Sequence, residues 1–276
     1  TRRAIPWHCM TDEPADAGSA TDRAEVARRL IGLIDLTDLA DDRAPDGIPA
    51  LCSRAEHHRT AAVCVWPEFV ATCAERLAAT DVRVATVVNF PGGDDPVESV
   101  TDAVVAALGD GADDIDLVLP YRAFLAGDTA RAADTVAIVS TLVAPPRIVK
   151  VILETGELGG AEVVRAAARL AIDSGADFVK TSTGKTAVGA TPEAVDAMVA
   201  EIAATPPDSD GVTVGLKPSG GIRTFDDARS YVERAEAVME AGWATPATFR
   251  FGASGLLDAL LAVIDGTDDL TDVTGY

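Results

Sequence analysis

Four lysines are the clearest candidates for chemistry in this sequence of 276 residues, because lysine is scarce in it. Of its 23 basic residues only Lys150, Lys180, Lys185 and Lys217 are lysines, and the other 19 are arginines. Arginine can replace most surface lysines, but its guanidinium stays protonated, so it cannot replace a lysine that must lose its proton. The four lysines are therefore candidates for a role that requires an amine.

Lys180 and Lys217 have the sequence context of reactive amines. Each ends a short apolar segment, Phe-Val-Lys in one case and Gly-Leu-Lys in the other. A lysine attacks a carbonyl only as the free amine, and the ordinary lysine pKa of about 10.4 leaves little free amine at pH 7. Burial and a second ammonium nearby both lower that pKa. The pair predicts imine chemistry, in which the iminium accepts electrons and a carbon–carbon bond breaks, as in class I aldolases.

Lysines at such positions have an alternative interpretation, which is that they bind an anionic substrate as point charges. Lys185 fits this alternative, because it lies in Thr-Gly-Lys, a loop sequence that can wrap a phosphate. For Lys180 and Lys217 together we favour covalent chemistry. Lys150 lies inside another apolar segment, Ile-Val-Lys-Val-Ile.

Two aspartates interrupt apolar segments and are candidate partners for the lysines. Asp116 lies in Ile-Asp-Leu-Val-Leu, and Asp35 lies in Leu-Ile-Asp-Leu-Thr. A buried carboxylate is costly unless it is paired, so lysines across the fold are natural partners. Asp116 could then move protons to and from a carbinolamine through Lys217 or a water. A buried ion pair without proton transfer is the alternative.

The elements that must position these residues alternate between two kinds of segment after residue 23. Short β-branched segments predict eight strands, and Ala-rich segments with apolar residues at helical spacing predict the helices between them. The predicted strands are Gly32–Leu36, Ala61–Val65, Val82–Val88, Asp114–Leu119, Ile148–Leu153, Phe178–Thr181, Thr213–Leu216 and Phe249–Gly252. The predicted helices include Pro67–Ala79, Pro96–Leu108, Thr129–Leu142, Gly160–Ser174, Pro192–Ala203, Phe225–Ala241 and Ser254–Val263.

This alternation predicts an α/β fold, a (β/α)8 TIM barrel in a single domain. Most predicted strands are apolar without strict alternation, which is typical of a parallel sheet covered by helices. A doubly wound open sheet would also alternate, but no Gly-x-Gly-x-x-Gly follows the first strand, so its nucleotide-binding version has no support. In a barrel, chemistry gathers at the C-terminal strand ends, and Lys180 and Lys217 end the predicted strands six and seven.

Two glycine-rich segments predict a phosphate site. Ser219-Gly220-Gly221 follows the seventh predicted strand, and residues 252–255, Gly-Ala-Ser-Gly, follow the eighth and open a helix. Barrels commonly bind phosphate after these two strands, where backbone N–H groups and a helix N-terminus converge. Either segment alone could be an ordinary turn, but their position after consecutive strands favours the phosphate site.

Composition and charge exclude several classes of protein. The formal net charge is −21, which argues against binding to nucleic acid or to an anionic membrane surface. No apolar run reaches the roughly 20 residues that span a bilayer, and no signal-peptide pattern opens the sequence, so we expect a cytoplasmic protein. The acid excess is interpreted as a solvated surface, of halophile type or from a Lys-poor genome.

Cysteines and domain bounds complete the sequence-based expectations. Cys52, Cys64 and Cys73 form no Cys-x-x-Cys pair and have no histidine at metal-ligand spacing, so they are predicted to be buried, reduced thiols and no metal site is expected. Residues 1–22 are predicted to be an acidic tail, residues 23–265 the barrel domain, and residues 266–276 a mobile C-terminal tail.

The assembled residues resemble the 2-deoxyribose-5-phosphate aldolase family, from about residue 31 to the end of the chain. The matching segments, in order, are Leu-Ile-Asp-Leu-Thr (33–37), Val-Cys-Val-Trp-Pro (63–67), Val-Asn-Phe-Pro-Gly-Gly (88–93), Ile-Asp-Leu-Val-Leu-Pro-Tyr-Arg (115–122), Lys-Val-Ile-Leu-Glu-Thr-Gly-Glu-Leu (150–158), Phe-Val-Lys-Thr-Ser-Thr-Gly-Lys (178–185), Lys-Pro-Ser-Gly-Gly-Ile-Arg (217–223) and Arg-Phe-Gly-Ala-Ser (250–254). Gly255 departs from this pattern, standing where a second serine is common, and Ser219 stands where alanine is common.

The resemblance implies roles for the matching positions. Lys180 would be the Schiff-base nucleophile, Lys217 would lower its pKa and join a proton relay, and Asp116 would be the acid–base partner. The C-terminal Tyr276 would fold over the pocket and protonate or deprotonate the enamine carbon. The remaining implied contacts with the substrate are those of Asp35, Thr37, Lys150, Thr183, Gly184, Lys185, Gly220, Gly221 and Ser254.

The reaction that the resemblance implies is reversible cleavage of 2-deoxy-D-ribose 5-phosphate to acetaldehyde and D-glyceraldehyde 3-phosphate, without metal or organic cofactor. The expected partners are small phosphorylated sugars and aldehydes, and a homodimer is expected. Two alternatives stay open: a Schiff-base aldolase of the same fold with another phosphorylated aldehyde acceptor, and a non-catalytic barrel that binds sugar phosphates.

Overall fold

The computed structural model describes residues 20–42, 45–207 and 211–267. Eight parallel strands alternate with helices in these residues, which confirms the predicted (β/α)8 barrel. In chain order the strands are β1 (Ile34–Asp38), β2 (Ala62–Val65), β3 (Arg83–Val88), β4 (Asp114–Val118), β5 (Ile148–Ile152), β6 (Phe178–Lys180), β7 (Gly215–Lys217) and β8 (Phe251–Ala253).

Ten α-helices accompany the strands in the described residues. They are α1 (Ala20–Ile31), α2 (Ile48–His58), α3 (Val70–Leu77), α4 (Val97–Gly109), α5 (Tyr121–Leu125), α6 (Thr129–Leu142), α7 (Ala161–Asp173), α8 (Pro192–Ala203), α9 (Phe225–Val238) and α10 (Leu256–Asp265). Short 3-10 turns lie at Pro45–Gly47, Pro67–Phe69 and Thr155–Glu157. The helix predicted over Pro67–Ala79 is in the structure a 3-10 turn followed by α3.

The strands close into a barrel. Each of β1 to β6 pairs in parallel with the next strand in sequence, and β8 pairs in parallel with β1. Isolated parallel bridges, Leu216 to Phe249 and Ser219 to Gly252, join the segments around β7 and β8 and complete the ring. The carboxyl ends of all eight strands therefore open toward one face of the barrel, where barrel enzymes carry their chemistry.

The barrel interior is apolar on one side and charged on the other. Ala62 and Cys64 on β2, with Ala85 and Val87 on β3, form a small buried cluster separate from the main hydrophobic core. The main core lies outside the strands, between them and the helices. Asp116 is the register partner of Val87, so it faces the same interior. The charged side chains described below fill the rest of that space.

Local sequence accounts for the ends of several helices. The Thr191 hydroxyl accepts a hydrogen bond from the Ala194 N–H at the start of α8, and Pro192 occupies the first position, where no backbone donor is needed. Thr224 and Asp227 form a capping box at the start of α9. These caps set where the chain enters each helix after a strand end.

The ends of the barrel differ slightly from the predicted domain bounds. α1 begins at Ala20, so residues 20–22 of the segment predicted as a tail are helical. α1 packs against α10, which ends at Asp265. The remainder of both predicted tails, apart from Gly266 and Thr267, lies outside the described residues.

Two further features bear on the sequence-based expectations. Cys52, Cys64 and Cys73 are free and buried, as predicted. Among the described residues, no helix combines the length and the apolar character needed to cross a bilayer.

Candidate active site

A cluster of charged side chains fills the barrel interior near the ends of β4 to β7. Register places Asp116 beside Lys150 on neighbouring strands, and it places Lys180 directly beside Lys217. All four residues are almost completely buried, with Lys180 the most exposed at 2 %. The barrel therefore brings together the three predicted catalytic residues that the structure describes. Tyr276, the fourth, lies outside the described residues.

Asp116 is the centre of the cluster. Its Oδ2 accepts hydrogen bonds from Lys180 Nζ at 2.8 Å and from Lys217 Nζ at 2.7 Å. Its Oδ1 accepts one from Lys150 Nζ at 3.1 Å. One carboxylate thus contacts three amines, and it is the shared neighbour through which Lys180 and Lys217 can influence each other.

Lys217 is held more firmly than Lys180. Besides Asp116, Lys217 Nζ donates to Asp35 Oδ2 at 2.5 Å. The other oxygen of Asp35 accepts from Arg250 Nη1 at 2.7 Å. Lys180, in contrast, has Asp116 as its carboxylate partner. The two lysines, which look alike in sequence, therefore have different electrostatic surroundings.

Asp114 extends the cluster toward the amino ends of the strands. It accepts from Lys150 Nζ at 2.6 Å and from Arg83 Nε at 2.6 Å. Arg83 is partly exposed, with 27 % of its side chain accessible. Lys150 therefore bridges Asp114 and Asp116. Like Asp116, Lys180 and Lys217, it is not among the described residues that line the cavity discussed below.

The buried charges of this cluster balance if one of its amines is neutral, and in the described part of the chain Lys180 is the amine with a single carboxylate partner. The fully buried carboxylates of this cluster are Asp35, Asp114 and Asp116. The buried cations that contact them, apart from Lys180, are Lys150, Lys217 and Arg250. An uncompensated charge in a protein interior is costly, so Lys180 is the group of this cluster that most readily gives up its proton.

The pKa directions agree with this charge balance. Burial lowers the pKa of Lys180 below its ordinary value, the Lys217 ammonium lowers it further, and Asp116 opposes both only in part. Burial would also lower the pKa of Lys217, but Asp116 and Asp35 outweigh burial and raise it. At neutral pH, Lys217 is therefore the permanent ammonium and Lys180 the amine poised to lose its proton.

Asp116 is held in its ionised form. Burial would raise its pKa, but the ammonium groups of Lys150, Lys180 and Lys217 outweigh burial and hold the pKa well below its usual value. Lys217, Lys150 and Arg250 lower the pKa of Asp35 in the same way against the effect of burial. Before substrate binds, Asp116 is therefore a carboxylate that can accept a proton and has none to donate.

A cavity of about 1070 Å³ opens above this cluster at the carboxyl ends of the strands. The predicted substrate contacts that line it are Thr37, Thr183, Gly184, Lys185, Gly220, Gly221 and Ser254. Gly252 also lines the cavity, and a Cβ added there would lie 3.3 Å from Lys217 Cε and closer still to Ser219. The absence of a side chain at Gly252 therefore leaves room for the Lys217 side chain and for Ser219, which lines the cavity.

Polar and cationic groups at the cavity rim suit an anionic group. Gly220 and Gly221 have φ of 84° and 83°, a conformation that glycine adopts readily. Lys185 Nζ pairs with the exposed Asp41 at 2.5 Å and lies 5.5 Å from the Trp66 ring. α10 begins at Leu256, just after Ser254, so its N-terminus faces the same region.

Three buried charged residues near the site were not recognised in the sequence: Asp114, Arg250 and Glu154. Asp114 lies two residues before Asp116 on β4, so strand periodicity alone places it on the same inward face. Arg250 precedes β8 and contacts Asp35, a partner more than 200 residues away, so no local pattern reveals the pair. Glu154 lies two residues after β5, in a segment where barrel loops carry function.

Gly189 shows how closely two of the cavity loops approach each other. A Cβ at this position would lie 2.3 Å from the backbone oxygen of Gly220, so one loop backbone would have to move. We expect Gly189→Ala to weaken inorganic phosphate binding about tenfold, since binding groups displaced by an ångström lose most of their contribution. Isothermal titration with phosphate measures this.

The control for that substitution is Gly109→Ala at the end of α4, where an added Cβ meets no atom within 4 Å. It should leave phosphate affinity unchanged. Equal affinity in the Gly189→Ala protein would show that the loop contact does not shape an anion site.

The site is built from amines and carboxylates without a metal-binding cluster. Within residues 20–42, 45–207 and 211–267, no group of three or more His, Cys, Asp or Glu side chains is arranged to hold a metal ion. The arrangement that the structure does present is an amine with a lowered pKa, an ammonium with a raised pKa and an ionised carboxylate, below a cavity rim of polar and cationic groups. A barrel with this site belongs to the class of Schiff-base aldolases.

Comparisons with known proteins place the chain within that class. The sequence profile of the DeoC/LacD family aldolases matches residues 29–262. The chain is 49 % identical over 255 residues to a deoxyribose-phosphate aldolase of Agrobacterium fabrum, a match that covers 91 % of this chain and 96 % of the relative. This chain therefore belongs to the DeoC/LacD aldolase family.

Solved structures show the same architecture. A protein of Coccidioides immitis, provisionally named a deoxyribose-phosphate aldolase, superposes with a TM-score of 0.74 at 30 % identity, covering 85 % of each chain. A deoxyribose phosphate aldolase of Aeropyrum pernix, described as a tetramer, superposes with a TM-score of 0.70 at 23 % identity, covering 89 % of this chain and 98 % of that one. The second likeness concerns the fold alone.

Proposed function

We propose that this chain reversibly cleaves 2-deoxy-D-ribose 5-phosphate to acetaldehyde and D-glyceraldehyde 3-phosphate through a Schiff base on Lys180. The single observation that carries the proposal is the environment of Lys180. It is a buried amine with a lowered pKa, 2.8 Å from an ionised Asp116 and beside a permanently charged Lys217. The similarity to the Agrobacterium fabrum enzyme over nearly its whole length supports the choice of substrate.

The first stage forms the imine. Lys180 Nζ attacks C1 of the open-chain sugar, and the amine proton moves to the new alkoxide to give a carbinolamine. Loss of the C1 hydroxyl as water gives the iminium. Asp116 contacts Lys180 Nζ, so it can transfer these protons directly or through a water. Lys217 orients Asp116 by its own hydrogen bond.

The second stage breaks the carbon–carbon bond. Asp116 accepts the proton of the C3 hydroxyl through a water or directly, the C3 oxygen becomes the carbonyl of glyceraldehyde 3-phosphate, and the C2–C3 bond electrons move into the iminium. The product left on Lys180 is an enamine. The ionised state of Asp116 at rest supports this role as a base.

The last stage protonates the enamine at C2 and hydrolyses the imine. Tyr276 or a water would supply the C2 proton. Water then adds to C1, and acetaldehyde leaves with regeneration of the Lys180 amine. Throughout, the substrate phosphate would be held at the cavity rim by Thr183, Gly184, Lys185 and the segments at Gly220 and Ser254.

The proposal is tested by measuring both products from purified protein. With 2-deoxy-D-ribose 5-phosphate, acetaldehyde and glyceraldehyde 3-phosphate should appear in equal amounts, with no loss of rate in a metal chelator. Ribose 5-phosphate, whose C2 hydroxyl changes the enamine, serves as the comparison substrate. If 2-deoxyribose 5-phosphate releases no aldehyde while another phosphorylated substrate does, a different acceptor aldehyde is the correct assignment.

The pH dependence of kcat/KM is a separate prediction. Because only the free amine of Lys180 attacks, kcat/KM should fall as the pH drops through the pKa of Lys180, which lies below the ordinary value. Asp116 stays ionised across the neutral range and should add no acid limb there. The profile of kcat/KM reports pKa values of the free enzyme. An acid limb at about 10.4, the value of an unperturbed lysine, would contradict the assignment.

Two other expectations from the sequence stay predictions: a cytoplasmic location and a homodimer. The small phosphorylated sugar and aldehyde substrates agree with the family to which the chain belongs.

A further inference from the structure

Glu154 is a completely buried carboxylate to which the reaction above gives no role. It lies two residues after the end of β5, and its φ of 55° lies in the left-handed region that residues other than glycine rarely adopt. Such a conformation persists only where surrounding contacts require it, and it is most common at functional sites. The contacts of the Glu154 side chain therefore indicate which part of the structure this backbone conformation serves.

The carboxylate of Glu154 binds the loop that follows β6. The Thr183 N–H lies 3.3 and 3.4 Å from its two oxygens, and the Thr183 hydroxyl donates to Oε2. The Thr186 hydroxyl donates to Oε1 at 3.2 Å. The Thr183 hydroxyl in turn accepts from the Lys185 N–H at 3.0 Å. One side chain thus fixes the loop on both sides of Gly184.

The same loop continues to the second anion-binding segment. The Ala190 N–H donates to the backbone oxygens of Ser219 and Gly220, at 3.0 and 3.1 Å. Gly156, close to Glu154 in sequence, packs so tightly on Val188 that an added Cβ would lie 2.8 Å away. The loops after β5, β6 and β7 are therefore one packed unit, and the Glu154 carboxyl group is buried within it.

We propose that Glu154 is a positioning residue that holds the loop after β6 in its phosphate-binding form and so sets the preference for phosphorylated over unphosphorylated substrates. Thr183 and Thr186 together direct their hydrogen bonds to both oxygens of the Glu154 carboxyl group. A loop fixed before binding does not lose conformational freedom when the phosphate arrives. Glu154 touches no reacting atom, and it acts through Thr183 and Lys185. This inference rests on the proposed function, because it assumes a phosphorylated substrate.

The test compares 2-deoxyribose 5-phosphate with 2-deoxyribose. In the Glu154→Ala protein, the ratio of the two kcat/KM values should fall at least about tenfold, mainly through KM for the phosphorylated sugar. The kcat/KM for 2-deoxyribose should change little. Glu157→Gln is the control, because Glu157 lies in the same turn but is exposed. The ratio of the two kcat/KM values in the Glu157→Gln protein should equal that of the wild type.

Two milder variants keep the test informative if Glu154→Ala does not fold. Glu154→Gln keeps an acceptor for Thr183 and should retain part of the preference. Thr186→Val removes one hydroxyl from a partly exposed position and should lower the preference by a smaller factor. A uniform fall for both substrates, which a merely structural role would produce, would overturn the proposal, as would an unchanged ratio.

Titration with inorganic phosphate separates this proposal from the proposed function. Wild-type and variant proteins are titrated without any substrate, so the result does not depend on which sugar is cleaved. Weaker phosphate binding in Glu154→Ala supports the positioning role even if 2-deoxyribose 5-phosphate proves not to be the substrate. Unchanged phosphate binding overturns the role even if that sugar is cleaved.

Discussion

Replacing Lys180 with methionine is expected to lower kcat/KM for 2-deoxyribose 5-phosphate on the order of 10⁴-fold or more, because no other group can form the imine. Methionine has a similar length and no charge. Since the buried charges balance with Lys180 neutral, the substitution should leave that balance intact. The melting temperature should therefore change little, and the measurements are steady-state kinetics beside a thermal unfolding curve.

Lys185→Met is the matched control for that substitution. Lys185 lies at the exposed cavity rim and pairs with Asp41, so its loss should raise KM for the phosphorylated sugar while kcat is largely kept. A Lys180→Met protein with more than a small fraction of wild-type kcat would show that another residue is the nucleophile.

Replacing Lys217 with methionine is expected to lower kcat/KM by about 10² to 10⁴-fold, the usual contribution of a group that assists proton transfer. The ammonium of Lys217 is one of the causes that lower the pKa of Lys180. Its removal should raise that pKa and move the acid limb of kcat/KM to higher pH. It also removes the ammonium that donates hydrogen bonds to both Asp35 and Asp116, so the melting temperature should fall, unlike that of Lys180→Met.

Lys217→Arg separates charge from shape at the same position. Arginine keeps the positive charge, so the acid limb should stay closer to its wild-type position. The guanidinium is planar and larger than an ammonium, and the site is completely buried, so most activity should still be lost. An acid limb that does not move in Lys217→Met would contradict the electrostatic role of Lys217.

The fold could be predicted from the sequence because the alternation of strands and helices is a local pattern. All eight strands were found, with ends within two residues of those observed. The helix predicted over Pro67–Ala79 begins instead with a 3-10 turn and ends at Leu77. Helix ends depend on caps and packing, which composition specifies poorly.

The site was predictable in part, because lysine is scarce and strand ends meet at one face of a barrel. The family resemblance assigned different roles to Lys180 and Lys217, but residue type and position could not separate them, since both end short apolar strands. The difference lies in tertiary contacts: Lys217 donates to two carboxylates, and Asp35, the second, lies 182 residues away. Glu154 was overlooked because a single glutamate in a loop carries no signal until its partners are seen.

The charge balance of the barrel interior also could not be predicted from the sequence. Asp114 could have been identified from its spacing to Asp116, but Arg250 could not, because its partner Asp35 is distant in the chain. Together they show that the lysine environment is set by several strands at once. The low pKa of Lys180 is consequently a property of the whole barrel and not of any one motif.

The most direct measurement is reductive trapping of the imine. The wild-type protein is incubated with acetaldehyde, reduced with borohydride, digested and mapped by mass spectrometry. The account predicts one stable ethyl adduct, on Lys180, with Lys150, Lys185 and Lys217 unmodified and no adduct in the Lys180→Met protein. An adduct on Lys217 in place of Lys180, or no adduct at all, would contradict it.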